Sequence, residues 1–318
     1  MDSFLHGFST AFQAMLQLGI IVAVSGILAR KKVFSEDMVA GMTKGVVYCF
    51  LPCLIFDKIT HNFHPGEMEF WWVIPLSALG MFLLGLGFTV LLNPREMKLQ
   101  PDLLPLGFMQ NAGYLSLAVG KVMVPDRFDQ WAVYTFLYIL VFNPLLWTFG
   151  KYFVSHDSTK RFQFRGIITP PLVGNILGVT LVLTGVAKWI PFPVSESVHL
   201  LGSAAVPVSM VILGATLATT PFSVQKHLGL VTKSFITKLL LLPAAVMGIL
   251  LAYGLPKELE MLGLFWILQA AYPQASNLIL QIRTYGGSRE RVCAVLVICY
   301  IGSLVTLPFW VGLWQNLR

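Results

Sequence analysis

The sequence predicts an all-α membrane protein of ten transmembrane helices, arranged as two inverted five-helix repeats. Composition is the first observation behind this. Of 318 residues 56% are hydrophobic and only 12% charged, with a mean hydropathy of +0.74, whereas a soluble domain carries about 25% charge. Apolar runs long enough to cross a bilayer as helices recur along the chain. Barrel strands are disfavoured because they are short and alternate apolar with polar residues. The third observation is that the chain repeats itself. Gln110-Asn111-Ala112-Gly113-Tyr114-Leu115-Ser116-Leu117 matches Pro273-Gln274-Ala275-Ser276-Asn277-Leu278-Ile279-Leu280, Pro52 matches Pro207, and Pro144 matches Pro308, in the same order and about half a chain apart.

Taken in order, the spans are residues 8–29, 38–57, 70–92, 103–124 and 130–152, then a polar, basic linker at 153–168, then 169–190, 197–218, 229–253, 259–282 and 290–315. The first repeat is therefore 1–152 and the second 169–318. The N-terminus lacks a basic leader and a small-residue cleavage site, and Arg30, Lys31 and Lys32 follow the first apolar stretch. This reads as a retained span, not a signal peptide. Basic residues divide thirteen to six between the two sets of loops; Arg30, Arg95, Lys160, Lys226 and Arg283 are on the richer side and Lys58, Lys121, Lys188 and Lys257 on the poorer. The richer side is cytoplasmic by the positive-inside rule, so both termini face away from the cytoplasm. Five spans per half is an odd number, so the halves insert with opposite orientation. The net charge of +7 is a topology signal, and no nucleic-acid partner is expected.

Pro52, Pro144, Pro207, Pro273 and Pro308 each remove a backbone donor inside a span. Pro144 and Pro308 read as simple kinks. In spans 4 and 9 a cluster of amides and small residues coincides with the interruption, near 111–117 and 273–280. Loosened backbone at membrane depth persists only where protein buries it or it lines a cavity. The candidate substrate-binding residues are Asn111, Gly113, Tyr114, Pro273, Gln274, Ser276 and Asn277, with Ser209 from span 7. Free N–H groups at a restarting helix suit an anion, and neutral amides can donate to a carboxylate; the bland alternative is that the amides only satisfy the broken backbone.

Two candidate charge-carrying or coupling residues stand apart. Lys238 is the deepest basic residue by count; it either attracts an anion or titrates, or it snorkels to the interface. Asp57 ends span 2 beside Lys58 and reads as half of an interfacial ion pair, with His61 and His64 as solvated neighbours. No carboxylate lies in the middle of a span, which argues against cation exchange. Cys49 and Cys53 share a helix face, but no His or carboxylate completes a metal site. All four cysteines read as buried apolar residues. No cofactor is expected, and neither a phosphate-binding loop nor a nucleophile–base pair suggests an enzyme.

At these residues the chain resembles the auxin efflux carrier superfamily, which includes the plant PIN and PIN-like carriers and bacterial organic-acid transporters. The resemblance rests on Leu51-Pro52-Cys53-Leu54-Ile55-Phe56, on Asn111-Ala112-Gly113, on Ala205-Val206-Pro207 through Leu213-Gly214-Ala215-Thr216-Leu217, and on Pro273-Gln274-Ala275-Ser276-Asn277 with Tyr285-Gly286. Plant PINs carry a second proline at each crossover, where Leu117, Ala118 and Leu278 stand here, and a long cytoplasmic loop that residues 153–168 replace. The resemblance implies that broken spans 4 and 9 cross near the midplane, as in sodium–proton antiporters and bile-acid symporters. It also implies a scaffold of spans 1, 2, 6 and 7, a mobile domain of spans 3–5 and 8–10, and elevator-like motion between them. The expected function is export of small organic anions. The rivals are a sodium- or proton-coupled symporter and a non-transporting sensor. Expected partners are the anion and membrane lipid, with a homodimer as the assembly to test.

Overall fold

The computed structural model describes residues 2–68, 70–92, 94, 103–146, 149, 168–279 and 288–318. We number its helices α1 (Asp2–Arg30), α2 (Glu36–Asn62), α3 (Val73–Leu92), α4 (Leu103–Phe108), α5 (Tyr114–Met123), α6 (Phe128–Leu145), α7 (Pro170–Leu183), α8 (Phe192–Thr219), α9 (Gln225–Tyr253), α10 (Glu260–Ala271) and α11 (Arg289–Leu317). Of these α1, α2, α3, α8, α9 and α11 are long and apolar enough to cross a membrane. Among the described residues there is no β-strand; the single β-type contact is an isolated antiparallel bridge between Gln110 and Gln274. The chain is thus an all-α membrane protein. The linker, apart from Ile168, and Tyr285-Gly286 lie outside the described residues.

Sequence punctuation sets the helix ends. Ser35 caps α2 by accepting from the Met38 amide at 3.2 Å. The sixth span stops at Leu183 rather than at 190, because Gly185 takes the left-handed conformation (φ 73°) that glycine adopts without strain. Proline acts in three ways. Upstream of Leu51-Pro52 and of Leu242-Pro243 the helix widens into π turns, Val46–Phe50 and Ile236–Leu241. The carbonyl four residues before Pro243 is that of Leu239; it has no proline N–H to accept from, and Trp310 Nε1 donates to it at 2.8 Å. Three residues before Pro207, α8 is interrupted by a turn at Ala204. Pro308 lies inside α11, which runs on to Leu317, whereas Pro144 is the penultimate residue of α6, which ends at Leu145.

Packing groups α1 with α8 and α11, α2 with α7 and α8, α3 with α6, and α10 with α9 and α11. The α1–α8 crossing is a backbone contact. A Cβ on Gly26 would lie 2.9 Å from the Ala218 Cβ, and one on Gly214 would strike the Val22 carbonyl oxygen, with the Val22 Cα at 2.9 Å. Small residues allow such approaches in membranes, where dispersion between helices replaces the hydrophobic effect. Gly214→Val is therefore expected to lower stability by about 1–3 kcal/mol, read as a lower melting midpoint in detergent. Gly41→Ala, which meets open space, serves as the unaffected control.

Candidate functional site

Two helix interruptions meet at the centre of the molecule. The first spans Met109 to Gly113 between α4 and α5, so residues 114–117, expected within the break, are already helical. The second begins at Tyr272, whose extended backbone (φ −61°, ψ 139°) follows from the steric demand of Pro273. Each break satisfies the other's orphaned backbone. The Asn111 amide donates to the Pro273 carbonyl at 2.8 Å, and the Ala275 amide to the Met109 carbonyl at 2.9 Å. This answers the demand that backbone at membrane depth be paired within the protein.

The amides then divide by role. Gln274, fully buried, donates through Nε2 to the Leu106 carbonyl at 2.8 Å. Gln110 Nε2 donates to the Tyr138 hydroxyl at 2.6 Å. Gln269, four residues before Pro273, reaches the Ala112 carbonyl and Ser116 Oγ, each at 3.2 Å. Trp131 Nε1 holds the Ser116 carbonyl at 2.9 Å. These groups brace the breaks. Asn111 instead donates Nδ2 to the Tyr300 hydroxyl of α11 at 2.7 Å, and that hydroxyl also interacts with Ser276. Asn111, Gly113, Tyr114 and Asn277 line one small cavity of about 60 Å³, together with Asn143 and Leu51. Pro273, Gln274 and Ser276 do not line it. Ser209, 6% exposed, donates to the Ala205 carbonyl of its own helix at 2.6 Å.

Two larger cavities flank α5. An apolar one of about 330 Å³ lies between α1, α8 and α11, with Arg30 at one end and Tyr300 and Leu115 at the other. The second, about 610 Å³, is lined by Asp57, Lys58, Lys121 and His199 among apolar walls. Leu18 and Met210 line both. They are nearly inaccessible, at 6% and 1% exposed, so they form a partition between the two cavities.

Lys238 is fully buried in its π turn and its ammonium meets the Ala270 carbonyl in the last turn of α10. It does not snorkel. A cation there faces the negative end of a helix dipole, and it does not line the small cavity. Asp57, 4% exposed, has more partners than the single ion pair expected: His199 Nδ1 at 3.0 Å, His61 Nδ1 at 3.2 Å and Lys58 Nζ at 3.8 Å. His61 is thus an acid's partner rather than merely solvated. The four cysteines form no disulfide; Cys293 and Cys299 are buried, whereas Cys49 and Cys53 are only half-buried, a correction to the expected burial. Tyr300, Gln269 and His199 were not among the candidates. Only Gln269 carried a local signal, being one helical turn before the break.

Comparison with known proteins decides the family. The sequence profile of the membrane transport protein family matches residues 10–155 and 154–311, nearly the whole chain. The chain belongs to this family, within the auxin efflux carrier superfamily. The uncharacterized transporter YfdV of Escherichia coli K12 is 24% identical over 310 residues, covering 93% of this chain and 95% of that protein. PIN-LIKES 7 of Arabidopsis thaliana is 21% identical over 389 aligned residues, with 96% and 97% covered. The uncharacterized transporter YLR152C of Saccharomyces cerevisiae is 26% identical over 151 residues, and the match spans 45% of this chain but only 26% of that protein. Membership of a transporter family, with six apolar helices of membrane-crossing length, identifies a multi-pass membrane transporter. The paired breaks therefore belong to a member of a transporter family.

Proposed function

We propose that this family member is a secondary carrier that exports small organic anions. In this reading the ten spans form two inverted repeats with crossed breaks, and α1, α2, α7 and α8 are a scaffold past which the other helices move as an elevator. One observation carries the anion assignment: Asn111, Gly113, Tyr114 and Asn277 converge on one cavity at the first turn of α5, and no carboxylate lines it among the described residues. The first turn of a helix has amide donors without helical acceptors and a partial positive charge. Neutral amides beside it can donate to a carboxylate. At about 60 Å³ the cavity is far below the roughly 300–1,000 Å³ of ligand pockets, so this is a conformation closed around the site. Sodium-coupled symport and a homodimeric assembly remain alternatives that measurement separates.

With no acidic residue beside the anion, its charge crosses uncompensated. Moving one charge through 100 mV is worth about 2.3 kcal/mol, which drives an anion out of an inside-negative cell. Protein in liposomes on a solid-supported membrane is expected to give a current when a transported carboxylate is added, unchanged when choline replaces Na⁺. Uptake without current would contradict electrogenic export, and a current that needs Na⁺ would favour the symporter.

A further inference from the structure

We propose that the cavity of about 610 Å³ is a second anion station, which takes the carboxylate of the substrate on the side of the molecule where α5 ends. The proposal rests on the export reading and adds a site to it. Its cations come from two helices. Lys121 sits seven residues beyond Tyr114 on α5, about 10 Å along the axis, so one half-helix touches the small central cavity with its first turn and this larger one with its last. Among the described residues no carboxylate lies within ion-pair distance of Lys121; its Nζ lies 5.6 Å from the centre of the Phe128 ring. A cation over an aromatic face retains its capacity for an anion.

Lys58 is the second cation. Its Nζ lies 2.8 Å from Asp129 Oδ1 and 3.8 Å from Asp57 Oδ2. The Lys58 side chain is 14% exposed and that of Asp129 is 56% exposed, so the bridge joins an inward-facing amine to a solvated acid. Asp129 is the solvated end of this bridge, so an arriving carboxylate can compete with it for Lys58. Asp57 does not depend on Lys58, because His199 and His61 both contact it. Leu18, Leu54, Val206 and Pro207 supply apolar wall for a hydrocarbon body. The volume falls in the ordinary range for small ligands, which that of the central cavity does not. Among its lining residues two lysines, Lys58 and Lys121, stand against one carboxylate, Asp57, and this positive balance draws anions to its mouth.

The test reads the charge of the cavity directly. Val122 lines it and is half-buried. Val122→Cys is made with Cys49→Ala and Cys53→Ala, and the protein is reconstituted in phosphatidylcholine liposomes. Membrane-impermeant methanethiosulfonates carrying a sulfonate or a trimethylammonium group then modify the new thiol. The sulfonate reagent is expected to react faster, and Lys58→Met with Lys121→Met should lower the sulfonate-to-ammonium rate ratio by roughly tenfold. Benzoate, indole-3-acetate and glutarate are added in turn, and at least one should slow modification in the parent but not in the double lysine variant. An unchanged rate with neutral methyl methanethiosulfonate verifies that each variant folds alike. A rate ratio indifferent to the lysines, or no protection by any of the three acids, overturns the station. The same liposomes keep the two readings apart. A carboxylate current without protection removes the station and leaves export standing. Protection without any carboxylate current supports the station and removes electrogenic export.

Discussion

Asn111→Ala is expected to weaken carboxylate binding by about 1–3 kcal/mol, roughly 5- to 150-fold in Kd, the cost of deleting an amide that meets a charged group. The residue is only 4% exposed, yet it lines the central cavity, and its Nδ2 reaches out of the break to the Tyr300 hydroxyl. Titration calorimetry of the best-bound acid from a screen of monocarboxylates, dicarboxylates and indole acids checks the prediction, with the melting midpoint as a control for folding. Tyr300→Phe separates two roles. If Asn111 only positions Tyr300, both single variants and the double variant bind alike. If Asn111 contacts the anion, its loss costs more than that of the hydroxyl. Normal affinity in Asn111→Ala would take the residue out of the site.

Trp131→Ala is expected to cost about 3–5 kcal/mol of stability, in the range for truncating a buried aromatic. Trp131 is fully buried, meets Phe265 edge-on at 5.2 Å, and occupies the space that a Cβ on Gly120 would need. It also donates to the Ser116 carbonyl at 2.9 Å. Its loss opens a cavity under α5 and removes the indole donor from the Ser116 carbonyl. Trp131→Phe restores most of the packing without the donor, and should fall between alanine and the parent in chemical denaturation. A cost below about 1 kcal/mol for Trp131→Ala would mean that the half-helix is held elsewhere.

These residues show what sequence conveys and what it withholds. The breaks were legible because their causes are local: Pro273 forces Tyr272 out of the helix, and Gly113 precedes a restart. Their position was read a few residues late, since Tyr114 to Leu117 are compatible with a helix and nothing in their chemistry opposes one. The partition of the amides was not legible. Gln274 and Asn277 stand three apart in one motif, yet one braces the Leu106 carbonyl and the other lines the cavity, a difference decided by the facing helix. Tyr300 was missed for the same reason: an isolated tyrosine in an apolar helix has no signature until Asn111 is placed beside it. Lys238 was read with snorkelling as one alternative, and burial won because α10 ends where its carbonyl can accept the ammonium. His199 lies 142 residues from Asp57, so no spacing rule could pair them.

The π turn ahead of Leu51-Pro52 has a consequence for register. Each residue of an α-helix advances the azimuth by about 100°, and a π turn accommodates about one residue more than an α turn. Everything in α2 beyond Phe50 is therefore rotated by about that amount relative to an uninterrupted helix of the same sequence. Leu54, Asp57 and Lys58, which line the larger cavity, owe their azimuth to that extra residue. Substitutions along α2 change what the cavity wall is made of; a single insertion or deletion between Val46 and Lys58 changes which wall it is, turning the acid and the amine away from the cavity together. This stretch of helix is thus far more constrained in length than in composition.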